Sequence, residues 1–148
     1  MKNFYLIYGI DRSIVNNELN KVIKSLSIDD IVKYDMTNSN LLDVIEDAST
    51  VGLFSSNKII ILDDCYFLGA NKSIDNIEDL ENYIEKYNPN NYCIFISYTD
   101  KVDTRKKIYK LLKSNGKIIE LSNIDDNYLI NYVNDTLKDE NYNMEDIN

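Results

Sequence analysis

Ser49 to Asp64 reads STVGLFSSNKIIILDD. Its second half, Ile59-Ile60-Ile61-Leu62, is a continuous apolar run with Asp63 and Asp64 behind it. A run of strand length without alternation marks a strand covered on both faces, as parallel sheets flanked by helices require. Its first half, Gly52-Leu53-Phe54-Ser55-Ser56-Asn57, puts two large apolar residues into turn chemistry. Turn segments lie at the surface. Leu53 and Phe54 therefore either tuck back into the core or stand out for a partner.

Outward from this stretch the pattern repeats. Phe4 to Tyr8 is a buried strand ending at Gly9, followed by a helix that Asp11 or Ser13 can cap. Ile14, Val15, Leu19, Val22, Ile23 and Leu26 fall at helical spacing. Ile31 to Asp35 is a second strand, and Asn38-Ser39-Asn40 opens a helix for which Gly52 is the expected stop. After the third strand, Ile74 to Tyr87 predicts a helix and Asn88-Pro89-Asn90-Asn91 a break. Tyr92 to Ile96 is a fourth strand, Thr104 to Ser114 a helix ended by Asn115-Gly116, and Lys117 to Leu121 a fifth strand. A last helix starts at Asp125-Asp126 with Leu129, Ile130, Val133 and Leu137 inward. Strands that alternate with helices predict an α/β domain with a mainly parallel five-stranded sheet covered on both faces.

The 148 residues fit one domain, and an apolar fraction of 44% can fill one core. Apolar runs are too short for a transmembrane helix, and the N-terminus lacks signal-peptide form, so the expected location is cytoplasmic. Two cysteines, Cys65 and Cys93, and no histidine argue against a zinc site and exclude a histidine-based triad. No cofactor is expected. A net charge of -9 argues against an unaided grip on nucleic acid.

In such folds ligands bind at the strand C-terminal ends. A phosphate loop opening at Gly9 needs a second glycine five positions on, then a lysine and a hydroxyl residue. Those positions hold Ile14, Val15 and Asn16, and none can do the work. Asp63 and Asp64 imitate the acids that hold magnesium in an ATPase; their plain reading is a pair of solvated strand-end acids. A receiver or cryptic NTPase using Asp63 and Asp64 is the alternative, with Thr99 as the hydroxyl of the fourth strand. It lacks an acidic pair after the first strand and a lysine at the end of the fifth. Lys101, Arg105, Lys106, Lys107, Lys110, Lys113 and Lys117 form a basic cluster in an acidic chain. It is either a solvated helix face or a contact for a neighbouring subunit or DNA.

Taken in order, these residues resemble the N-terminal domain of the delta subunit of the bacterial DNA polymerase III clamp loader. The resemblance is carried by Tyr8-Gly9 through Leu19, by Leu53-Phe54 with its polar link to Ile59-Ile60-Ile61, by Phe67-Leu68, and by Ile94 to Leu112 with Asp100-Lys101, Asp103 and Arg105-Lys106-Lys107. It implies a three-layer, P-loop-NTPase-like fold, a degenerate AAA+ domain that does not bind ATP. It implies that Leu53 and Phe54 plug a hydrophobic pocket of the ring-shaped sliding (beta) clamp, with Thr50, Val51 and Gly52 as lead-in, and help the ring open. Some relatives carry a glutamine ahead of the pair; here the nearby residue is Thr50. In the family the partners of the full-length protein are the delta-prime and tau/gamma subunits, and DNA only within the complex. The expectation is a clamp-binding domain over residues 1–140 and a frayed acidic tail over 141–148. No counterpart of the family's lid and collar domains is expected, nor any intrinsic enzymatic activity. The holoenzyme as a whole is a DNA-directed DNA polymerase.

Overall fold

The computed structural model describes residues 3–50, 57–86 and 91–121. The elements are β1 (Phe4–Tyr8), α1 (Arg12–Leu26), β2 (Ile31–Asp35), α2 (Leu41–Ser49), β3 (Lys58–Asp63), α3 (Ile77–Glu85), β4 (Asn91–Ser97), α4 (Lys107–Asn115) and β5 (Gly116–Glu120), with a 3-10 turn at Tyr66–Leu68. The strands form one sheet in the order β2-β3-β4-β1-β5, and each adjacent pair is parallel.

Side chains alternate across this sheet, and each face has its own core. Ile7, Ile59, Ile61, Ile94 and Ile96 pack against Ile14, Val15, Leu19 and Val22 of α1. Phe4, Leu6, Tyr8, Ile60, Leu62, Cys93 and Phe95 pack on the other face against α2, α3 and α4. The strand at Ile59 to Leu62 is therefore buried on both sides, as its unbroken apolar run requires. The architecture is a three-layer, AAA+-like α/β fold.

The topology creates one crevice. The chain leaves β1 to α1 on one face and leaves β4 toward α4 on the other, while β1 and β4 are neighbours. Loops that part in this way open the switch point at which α/β sheets bind ligands. Gly9 and Tyr98 lie at its two lips, joined by a hydrogen bond from Gly9 N to Ser97 O at 3.2 Å.

Several boundaries differ from expectation, each for a local reason. α2 stops at Ser49, before Gly52, because Thr50 turns extended and folds back onto the last turn. Its N–H donates to Asp47 O at 3.2 Å and its hydroxyl to Glu46 O at 2.7 Å, which caps carbonyls that the helix leaves open. α3 is shorter than the span 74–87, because Asn76 takes a left-handed φ of 68° ahead of it. α4 begins at Lys107 rather than Thr104, because the Asp103 carboxylate accepts from Arg105 N and holds a separate turn. α4 ends at Asn115 with Gly116 as its C-cap, as expected, and Gly116 is also the first residue of β5, where a Cβ would clash with Phe4 O. Asn91, grouped with the break, begins β4 and is buried. The expected last helix from Asp125 lies outside the described residues, as do Val51, Gly52, Leu53 and Phe54.

Candidate functional site

The loop after β1 is organised around Asp11. Asp11 caps α1, and its Oδ1 accepts from Ser13 N at 2.9 Å and Ile14 N at 3.3 Å. A helix N-terminus attracts an anion through its open N–H groups and its dipole. Here the chain's own carboxylate takes that position. Ile14 is buried and Val15 is fully buried in the α1 core, where a phosphate loop would present a lysine. Asn16 is exposed. Gly9 has a packing reason to lack a side chain: a Cβ would meet Leu121 Cβ at 2.9 Å and Val15 Cγ2 at 3.3 Å.

The acids after β3 are also engaged. Asp63 Oδ1 accepts from the Tyr98 hydroxyl at 2.6 Å. The Arg12 guanidinium stacks over the Tyr98 ring, 3.9 Å from its centroid, a cation–π contact. Burial, followed by the bond to Asp63, pushes the Tyr98 phenol well above its ordinary range. Asp64 has a φ of 61° and turns the chain toward the buried Cys65. The Thr99 hydroxyl donates to Lys101 O at 3.1 Å and is spent on its own turn. Among the described residues, no group of three or more histidine, cysteine or acidic side chains is placed to hold a metal ion.

The opposite end of the sheet, where α2 finishes and β3 starts, is polar and closely bonded. Asp47 accepts from Tyr34 OH at 2.6 Å and from Lys58 Nζ at 2.5 Å. Burial works to raise its carboxyl, but the bonds from Lys58 and Tyr34 outweigh burial and hold it below the usual range. Asn91 Nδ2 donates to the carbonyls of Ala48 and, at 3.2 Å, Thr50. Thr50 is thus the last described residue before the Leu53-Phe54 stretch, and its carbonyl is fixed.

A family model described as DNA polymerase III, delta subunit, matches residues 5–122. The chain belongs to the DNA polymerase III delta subunit family. It is 24% identical over 131 residues to DNA polymerase III subunit delta of Bacillus subtilis, a match that takes in 82% of this chain and 38% of that protein. Among solved structures it is similar to the Bacillus subtilis DNA clamp loader delta protein, with a TM-score of 0.76 and 23% identity over 93% of this chain and 43% of that one. The chain therefore spans well under half the length of each of these two relatives.

Within this delta-family domain several of the basic residues also have partners in the fold. Arg105 makes a two-pronged contact with Asp103, Nε to Oδ1 at 3.0 Å and a terminal nitrogen to Oδ2 at 3.2 Å. Lys106 Nζ donates to Phe67 O at 2.7 Å and to Lys72 O at 2.5 Å, so it ties the start of α4 to the 3-10 turn. Lys107 lies 3.7 Å from Glu85. Lys110 is exposed on the outer face of α4. Lys106 thus holds one of the fold's own connections, which the charge run alone did not reveal. Sequence reasoning also missed Tyr98, Arg12 and Asn91. A tyrosine one residue before the suspected Thr99 was the only trace of the first.

Proposed function

We propose that this chain is the clamp-engaging domain of a clamp-loader delta subunit, a binding module with no chemistry of its own. The observation that carries the reading is the Asp11 carboxylate on the amides of Ser13 and Ile14, with Val15 buried behind it. A family member whose phosphate position is filled by its own anion has no use for ATP there. A second anion would meet the Asp11 charge and find no lysine. ATP then acts elsewhere in the loader, and this domain contributes a surface. The same closure disfavours the NTPase alternative at Asp63 and Asp64.

That surface is Leu53 and Phe54, with Thr50, Val51 and Gly52 leading in, and its partner is the sliding clamp. Burying both side chains in an apolar pocket is worth roughly 1.5–3 kcal/mol each, enough for the hot spot of a modest interface. A module that fits the clamp better with one ring interface relaxed shifts the ring toward opening. In the whole protein delta-prime and tau/gamma are the further partners, with DNA met only in the assembly.

Surface plasmon resonance against the cognate clamp tests this. Leu53→Ala with Phe54→Ala should weaken binding by a hundredfold or more, on the order of 3 kcal/mol. Unchanged affinity in a folded variant removes the plug. Calorimetry with ATP and magnesium should show no binding; a clear isotherm removes the closed-site reading.

A further inference from the structure

A slot of about 300 Å³ opens between the 3-10 turn, the start of α3 and the start of α4. Phe67, Ile74, Ile77 and Ile108 supply its apolar lining. Phe67 and Ile108 belong to the core, each 2% exposed, while Ile74 and Ile77 are half-buried. The slot therefore leads from the surface down to the core and leaves part of Ile74 and Ile77 in water. Covering that apolar surface is a gain open to a partner.

Its walls are held by bonds within the fold. Lys106 Nζ donates to Phe67 O at 2.7 Å and to Lys72 O at 2.5 Å, and Asp103 N donates to Leu68 O at 2.8 Å. These bonds tie the residues ahead of α4 to the 3-10 turn and to the residues ahead of α3. A pocket formed in advance asks little ordering of the partner that enters it.

The charges around the slot select that partner. Lys72, Lys106 and Lys107 line it beside one acid, Glu81. A chain with 25 acidic and 16 basic residues thus sets three lysines against one glutamate at this place. Lys72 and Lys107 are exposed. Lys107 lies 3.7 Å from Glu85, but both ends of that pair are on the surface. Such a pair is worth little and exchanges readily for another carboxylate.

We propose that this slot docks an acidic peptide segment of a partner protein. One or two apolar side chains enter between Phe67, Ile74, Ile77 and Ile108, and carboxylates beside them meet Lys72 and Lys107. The net charge of -9 favours basic peptides over the surface as a whole. A preference for an acidic one is therefore the signature of this slot.

Fluorescence anisotropy of the full chain with labelled peptides is the test. One set carries Leu-Leu or Leu-Tyr between runs of glutamate. The controls carry lysine in place of glutamate, or serine in place of the apolar pair. The glutamate peptides should saturate below about 1 mM and bind roughly tenfold more tightly than either control. Lys72→Glu with Lys107→Glu should weaken them roughly tenfold, and Ile77→Ser by a similar factor, with circular dichroism as the fold control. If Ile77→Ser does not fold, the lysine variant, altered only at exposed positions, decides alone. No saturation by any glutamate peptide, or tighter binding of the lysine peptides, overturns the proposal. Equal binding of the serine peptides overturns it as well, since the apolar lining is then unused. Unchanged affinity in the lysine variant places the peptide elsewhere and also overturns it. Oligothymidylate that displaces the peptide and binds more tightly than it gives the surface to nucleic acid instead.

Discussion

The Tyr98 hydroxyl donates to Asp63 Oδ1 at 2.6 Å, while the ring beneath it supports Arg12. This contact joins the ends of β3 and β4 to the start of α1 across the switch-point crevice. Side chains thereby hold together an edge that a nucleotide and its metal bridge in an active ATPase. Tyr98→Phe keeps the ring under Arg12 and removes the donor to Asp63. It should cost about 1 kcal/mol in urea unfolding. A neutral result would mean that water replaces the phenol at no loss.

Asp11 separates a cap from a charge. Asp11→Ala removes the acceptor for Ser13 and Ile14 and should cost about 1 kcal/mol. Asp11→Asn keeps the acceptor and should lie near the wild type. Chemical denaturation of the three proteins checks the order. Neither variant should acquire ATP affinity, because Val15 still stands where the lysine is needed.

The α2–β3 junction predicts behaviour at high pH. Burial, then the bond to Asp47, pushes the Tyr34 phenol up to about 12, and burial with Glu120 pushes Tyr8 to about 12. Above pH 10 the unfolded chain loses these protons while the folded chain keeps them. The folded state then binds more protons, so stability falls as pH rises. The contribution is whole below pH 10 and fades through about pH 12. Melting temperatures from pH 9 to 12 should decline less steeply in Tyr34→Phe than in the wild type.

Much of this was readable in the chain because it rests on local pattern. The apolar run Ile59 to Leu62 implied a doubly covered strand, and Asp11 implied a cap. Ile14 and Val15 fell at helical spacing, and both are buried in the α1 core. What escaped the sequence depends on distant partners. Asn91 lies two residues after Pro89 in a stretch with the composition of a turn, yet its amide serves carbonyls 41 and 43 positions back in the chain. Lys106 looks like any lysine in a basic run, yet it bonds to a carbonyl 39 positions away. Thr99 drew the eye as a hydroxyl at a strand end, while its neighbour Tyr98 makes the contact.

Those lysines provide a direct contrast. Lys106→Met loses the donor to Phe67 O and Lys72 O and should cost roughly 1–2 kcal/mol, since a charged donor is lost and a part-buried carbonyl is left open. Lys110→Ala, on the exposed face of α4, should change stability by less than about 0.5 kcal/mol. Guanidinium titrations followed by circular dichroism distinguish them. Equal effects would return the basic run to a uniform solvated face.

Gly116 and Gly9 should differ in tolerance although both lie beside β1. A Cβ on Gly116 would meet the Phe4 carbonyl oxygen at 2.2 Å and its carbon at 2.7 Å, and both are backbone atoms in the β1–β5 ladder. Neither can move without parting the strands. A Cβ on Gly9 would meet Leu121 Cβ at 2.9 Å, Val15 Cγ2 at 3.3 Å and the Leu121 carbonyl carbon at 3.4 Å, so Leu121 must shift, but by less than the Phe4 backbone must at Gly116. Overpacking costs about 1–3 kcal/mol where a core must shift. Gly116→Ala should fall at or above the upper end and Gly9→Ala toward the lower. Thermal melts that rank Gly9→Ala as the worse variant would show that the Leu121 side of β1 is the more rigid one.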